Sequence, residues 1–171
     1  MVAAIEVYFD GAAQARLRRL WDAFEQAGIP SLREHTHRLH RPHLSFAVAR
    51  RFDPQQVADA VSGLLPPEGV EVEFSSVGQF PGRVLWLGPV PHADLLARHD
   101  AVHRRLAEAG IEVDAVYRPG AWVPHCTVSQ QVPWADLARA VGLCLDALPI
   151  TASLRSAAVA DHSRGLYRPI G

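Results

Sequence analysis

Two short segments of the chain carry the residues best suited to chemistry. Pro42-His43-Leu44-Ser45-Phe46 recurs as Pro124-His125-Cys126-Thr127-Val128. In an extended strand, alternate side chains share a face. His43 and Ser45 therefore point one way, with Leu44 and Phe46 opposite. His125 and Thr127 form a second polar pair, with Cys126 and Val128 opposite. An imidazole titrates at about 6.5, so near neutral pH one copy can be a neutral base while the other is a protonated acid. The base takes a proton from an attacking oxygen, and the acid returns one to the leaving oxygen. Two hydroxyls suit the non-bridging oxygens of a phosphate, where charge grows in the transition state. The set points to metal-free hydrolysis or transesterification of a phosphodiester. A lone histidine in a strand is ordinarily a packed or surface residue. The repeated context, proline before and hydroxyl two after, separates this pair from that default.

The spacing of the two segments, 82 residues, recurs elsewhere. It relates Phe24–Ile29 to Leu106–Ile111 and Val2–Ile5 to Val84–Leu87. Three segments at one offset indicate a duplicated unit. Each unit opens on a β-rich run, Val2–Phe9 or Arg83–Leu87. A helix follows, marked by Ala13, Leu17, Leu20, Trp21 and Phe24 in the first unit and by Leu95, His99, Val102 and Leu106 in the second. Gly28 and Gly110 end these helices. A loop then leads to the histidine strand. A second helix is read from Val57, Val61 and Leu64, and from Leu137, Val141, Cys144 and Leu148. Val70–Phe80 and Ile150–Ala160 close the units, and Leu166–Ile170 adds a short strand after the turn at Ser163-Arg164-Gly165. Gly78–Gly82 punctuates the join. The expectation is an α+β fold in a single bilobal domain over 1–171, with repeats of about 1–80 and 83–171. Each lobe would carry an antiparallel sheet and helices, the sheets facing a central groove.

Composition narrows the function. The formal net charge of −1 gives no global basic field for gripping long nucleic acid. All 17 basic residues are arginine. Without lysine there is no Walker-type phosphate loop and no lysyl–nucleotidyl intermediate. Cys126 and Cys144 lack metal-ligand spacing and read as buried, reduced thiols. No apolar run reaches the roughly 20 residues of a membrane span, and no signal peptide is read at Met1–Asp10. A cytoplasmic monomer with no membrane association and no obligate protein partner is expected.

The paired His-x-Ser/Thr-hydrophobic tetrapeptides, His43-Leu44-Ser45-Phe46 and His125-Cys126-Thr127-Val128, resemble those of the two-histidine (2H) phosphoesterase superfamily. The resemblance is particularly to its bacterial RNA 2′,3′-cyclic phosphodiesterases, also called 2′-5′ RNA ligases. The resemblance covers nearly the whole chain, including Gly78–Gly88. It implies His43 and His125 as acid and base, Ser45 and Thr127 as phosphate binders, and no cofactor. The implied partner is an RNA end or small nucleotide carrying a cyclic phosphate, opened by hydrolysis with reversible 2′-5′ joining. Three alternatives keep the same residues. The chemistry would act on a cyclic nucleotide, an ADP-ribose cyclic phosphate or a 2′-5′ oligonucleotide. A fourth, of another class, is a non-catalytic module that holds an RNA end.

Other residues are weaker candidates. Arg41 precedes His43 by two, and Arg118 sits in the corresponding loop of the second unit; both are candidate substrate contacts. Tyr117, Trp122 and Tyr167 are candidates for stacking on a base, with core or rim packing as the commoner role. His35-Thr36-His37-Arg38-Leu39-His40 looks like a metal cluster but lacks structural-zinc spacing, so it reads as a solvated or substrate-edge loop and no metal is expected. His99 reads as a packed histidine and His162 as a solvent-exposed turn residue.

Overall fold

The computed structural model describes residues 3–36, 40–49, 53–66 and 69–171. Along the chain it places β1 (Ala3–Phe9), α1 (Gly11–Gln26), β2 (His43–Ala49), α2 (Pro54–Ala60), β3 (Glu71–Phe80) and β4 (Val84–Pro89). Then come α3 (Ala93–Glu108), β5 (Cys126–Ser129), α4 (Leu137–Ala147), β6 (Ile150–Asp161) and β7 (Leu166–Ile170). The Asp10 carboxylate starts α1 by accepting from the Ala12 and Ala13 amides, donors that a helix start leaves open. The helix ends at Gly28, whose φ of 71° lets the Ile29 amide turn back to the Phe24 carbonyl. Gly110, at φ 69°, ends α3 the same way, with the Ile111 amide on the Leu106 carbonyl. The duplicated sequence thus builds duplicated helix ends. Helix α2 is shorter than its apolar spacing predicts. It stops at Ala60, and the chain beyond forms an isolated Ser62–Leu65 bridge.

All strand pairs are antiparallel, in the order β2-β1-β6-β3-β4-β5, with β7 also on β6. The strand that closes each repeat does not pair with the opening strand of its own repeat. β6 pairs with β1 of the first repeat through Leu154–Ala160, and β3 forms a hairpin with β4 of the second. The tight turn at Pro81-Gly82-Arg83 makes β3 and β4 immediate neighbours, so the local pairing wins. β6 is long enough to serve two partners and gives Ile150–Ser153 to β3. The strands therefore form one hydrogen-bonded path, and a single core cluster draws on both repeats.

The histidine segments behave as their alternation predicts. Leu44, Phe46, Cys126 and Val128 are all buried in that core. On the core side, Phe46 packs edge-on against Trp122 and against His99 of α3. His99 also stacks on Trp122, with ring centroids 3.9 Å apart. Burial and the neighbouring His103 push His99 down to about 4, against backbone hydrogen bonds that favour its charged form. Because this base loses proton affinity on folding, its contribution is intact above about 6.5 and is lost as pH falls toward 4. The expected cost is roughly 3 kcal/mol. Urea unfolding at pH 7 and pH 4 should show a smaller pH difference for His99→Phe than for the wild type. Equal differences would count against this origin.

Candidate active site

His43 opens β2, and His125 stands immediately before β5. Each imidazole is held in the same way. Nδ1 of His43 lies 2.7 Å from the Arg41 carbonyl, and Nδ1 of His125 lies 2.7 Å from the Val123 carbonyl. A carbonyl only accepts, so Nδ1 carries the hydrogen in both rings and Nε2 is left to exchange protons. The indole of Trp122 donates to the Ser45 carbonyl at 3.1 Å, tying the approach to β5 onto β2.

The two halves differ in what lies across from their hydroxyls. Opposite Ser45 on β1 is Glu6, and opposite His43 is Tyr8. Opposite Thr127 on β4 is Trp86. Glu6 is a buried carboxylate whose Oε1 lies 3.5 Å from His43 Nε2 and 2.7 Å from His162 Nε2. The Tyr8 hydroxyl donates to Oε2 at 2.6 Å. Burial pushes this carboxyl up, but His43, His162 and Tyr8 together outweigh burial and hold it at about 2. Arg41 lies over the Tyr8 ring, 4.3 Å from its centroid, and its Nη1 is 3.3 Å from the Tyr167 hydroxyl.

The His125 half is aromatic. Phe80 meets the His125 ring edge-on at 4.8 Å, and Trp86 lies 6.0 Å from it. Trp86 takes this position because β3 has Gly78 beneath it. A Cβ there would stand 2.1 Å from the indole. Burial pushes His125 below its ordinary value, opposed by the Val123 carbonyl and reinforced by the charge of His43. A hollow of about 520 Å³ is lined by His125, Thr127, Phe80, Tyr117 and Trp122, among others.

Arg41 and Tyr167 thus gather beside His43, and Tyr117 shares the hollow with His125. Arg118 goes elsewhere: its guanidinium donates to the Val113 carbonyl at 3.3 Å, and it lines a separate hollow with Asp100 and His103. His162 departs from the expected solvent exposure. It is partly buried and hydrogen-bonded to Glu6, which holds it above its ordinary value against the pull of burial. Of the histidine-rich stretch, residues 37–39 lie outside the described residues, whereas the His40 ring lies tilted against that of His162, centroids 3.8 Å apart. Cys126 and Cys144 are buried and unbridged. No helix among the described residues is long and apolar enough to cross a membrane. Glu6, Tyr8, Phe80 and Trp86 escaped the sequence reading. A carboxylate in the apolar run Ala3–Phe9 was a visible signal, but its partner across the sheet was not.

A sequence model described as the 2′-5′ RNA ligase superfamily matches residues 9–166. No curated protein sequence matches the chain. Among solved structures, E. coli LigT in apo form superposes with a TM-score of 0.63 at 17% identity, covering 99% of this chain and 94% of that one. E. coli LigT complexed with 3′-AMP gives 0.61 at 14% identity, with the same coverage. Kluyveromyces marxianus Usb1 gives 0.51 at 11%, covering 98% and 97%. These likenesses establish the shared fold.

Proposed function

This chain belongs to the 2′-5′ RNA ligase superfamily, and from that premise we propose that it is a metal-independent phosphodiesterase opening RNA 2′,3′-cyclic phosphate ends. His125 is the base and His43 the acid; Ser45 and Thr127 bind the phosphate. In hydrolysis, Nε2 of His125 takes a proton from water as the water oxygen bonds to phosphorus. Nε2 of His43 gives its proton to the departing ribose oxygen as that P–O bond breaks. The product is a phosphomonoester and a free hydroxyl. Solvent then returns a proton to His43 and removes one from His125. With a ribose 5′-hydroxyl in place of water as the nucleophile, the same groups open the cyclic phosphate to a 2′-5′ diester, the 3′ P–O bond breaking and His43 protonating the 3′ oxygen.

The unequal surroundings of the two imidazoles carry the assignment. At His43 the buried Glu6 carboxylate stands 3.5 Å from Nε2, placed to face the N–H that an acid presents. Aromatic burial without a carboxylate neighbour among the described contacts favours the neutral ring at His125. The fold supports a nucleotide-sized substrate, since LigT, which shares it, has been solved with 3′-AMP and with ATP. The hollow beside His125 offers Tyr117 and Phe80 as faces for a base.

The test is to incubate EDTA-treated protein with cyclic-phosphate RNAs, cyclic nucleotides, ADP-ribose cyclic phosphate and 2′-5′ oligonucleotides, and to locate the phosphate in each product. Cleavage of the RNA ends supports the reading. Tight binding with no cleavage of any member assigns the chain to end binding instead. The base also predicts a pH response. Because His125 lies below its ordinary value, kcat/KM should rise with pH through an acid limb centred below about 6.5. A limb at or above the ordinary imidazole value would remove His125 from the role of base.

A further inference from the structure

Glu6, His40 and His162 form a cluster that the acid–base mechanism does not use as a unit. One donor atom from each lies within 4.8 Å of the other two. The three come from distant parts of the chain: β1, the residues before β2, and the turn after β6. We propose that they form a binding site for a transition-metal dication of the zinc type, and that a metal held there silences the enzyme by taking His43 out of proton transfer.

The donor set supports this metal class. Two imidazoles and one carboxylate suit zinc, whereas magnesium and calcium favour all-oxygen sites. At zinc bond lengths of about 2.0–2.2 Å, tetrahedral ligand atoms stand roughly 3.4 Å apart. The pair Glu6 Oε1 and His162 Nε2, now hydrogen-bonded at 2.7 Å, would open slightly, and the separations to His40, within 4.8 Å, are in reach of that geometry. His40 already lies against His162, with ring centroids 3.8 Å apart. The carboxylate is oriented for the task. Tyr8 donates to Oε2, which leaves Oε1 turned toward the imidazoles. A second partner on a ligating carboxylate is how proteins fix metal ligands in place.

Three protein ligands leave a fourth position. His43 Nε2 is 3.5 Å from Glu6 Oε1, close to the edge of a zinc tetrahedron. The lone pair that must carry the catalytic proton therefore borders the open position. A metal bound through Nε2 of His43 occupies that lone pair and takes Glu6 Oε1 from its place opposite the ring.

Silencing rests on the proposed function, while binding does not, so the experiment reads the two separately. Metal-stripped full-length protein is titrated with Co²⁺, followed by visible absorption, and with Zn²⁺ against a chromophoric chelator. About one equivalent per chain should bind with a saturable spectrum. His40→Ala and His162→Ala should each weaken binding by about 100-fold or more, and Tyr8→Phe by about 10–100-fold. No stoichiometric binding, or binding indifferent to both histidine changes, would overturn the site. In the activity arm, one equivalent of zinc should abolish wild-type cleavage of a cyclic-phosphate RNA, chelator should restore it, and His40→Ala should keep cleaving at that zinc level. Undiminished or increased wild-type cleavage with bound zinc would overturn the silencing. Absence of cleavage in stripped and loaded protein alike would refute the proposed function and leave the binding result to stand by itself.

Discussion

Replacing His43 or His125 with alanine should lower turnover by about 10²–10⁴-fold, the range for losing a positioned acid or base. Each ring is anchored by a single Nδ1 hydrogen bond to a carbonyl two residues earlier, and neither ring belongs to the hydrophobic core cluster. Glu6 loses the facing His43 ring in His43→Ala but keeps its hydrogen bonds to Tyr8 and His162, so both variants should still fold. Ser45→Ala and Thr127→Ala should each cost less than the loss of a histidine, since each removes one hydrogen bond to developing charge, worth at most ~3–4 kcal/mol. The double His43→Ala, His125→Ala variant should be scarcely worse than the more damaging single change, because the pair works as one unit. Single-turnover cleavage of a cyclic-phosphate RNA by these variants checks the set. Near-normal rates in the histidine variants of an active enzyme would mean that the chemistry resides elsewhere.

Phe46→Ala should lower unfolding free energy by about 3–5 kcal/mol, the cost of emptying an aromatic core site. Phe46 is fully buried and is touched from two directions, by Trp122 and by His99 of α3. Both contacts come from the second repeat, so this side chain helps join the halves. Phe46→Leu refills part of the space and should cost well under half as much. Urea unfolding of these variants beside Ser45→Ala checks the claim. Ser45 is the adjacent residue on the opposite face, and its loss should barely move the midpoint. Equal losses from Phe46→Ala and Ser45→Ala would contradict the assignment of one face to the core and the other to the site.

Much of this protein was legible in its residues. The period of two in His43–Phe46 and His125–Val128 separated core from polar face, because adjacent side chains of a strand cannot share a side. The 82-residue repeat located the paired helices and the glycines that end them, since helix termination is local chemistry. The same information could not say which strands would pair. Long-range contacts sent β6 back to β1, while a tight turn joined β3 to β4, and both pairings cross the boundaries of the repeats. The pairing of β1 with β2 set Glu6 opposite Ser45, and that of β4 with β5 set Trp86 opposite Thr127, giving two near-identical motifs unlike electrostatic surroundings. The turn after β6 likewise carried His162 back to Glu6, across 156 positions of sequence. Residue types and their spacing announced two imidazoles fit for proton transfer. The fold decided what each imidazole faces, because charge and burial act through space rather than along the chain.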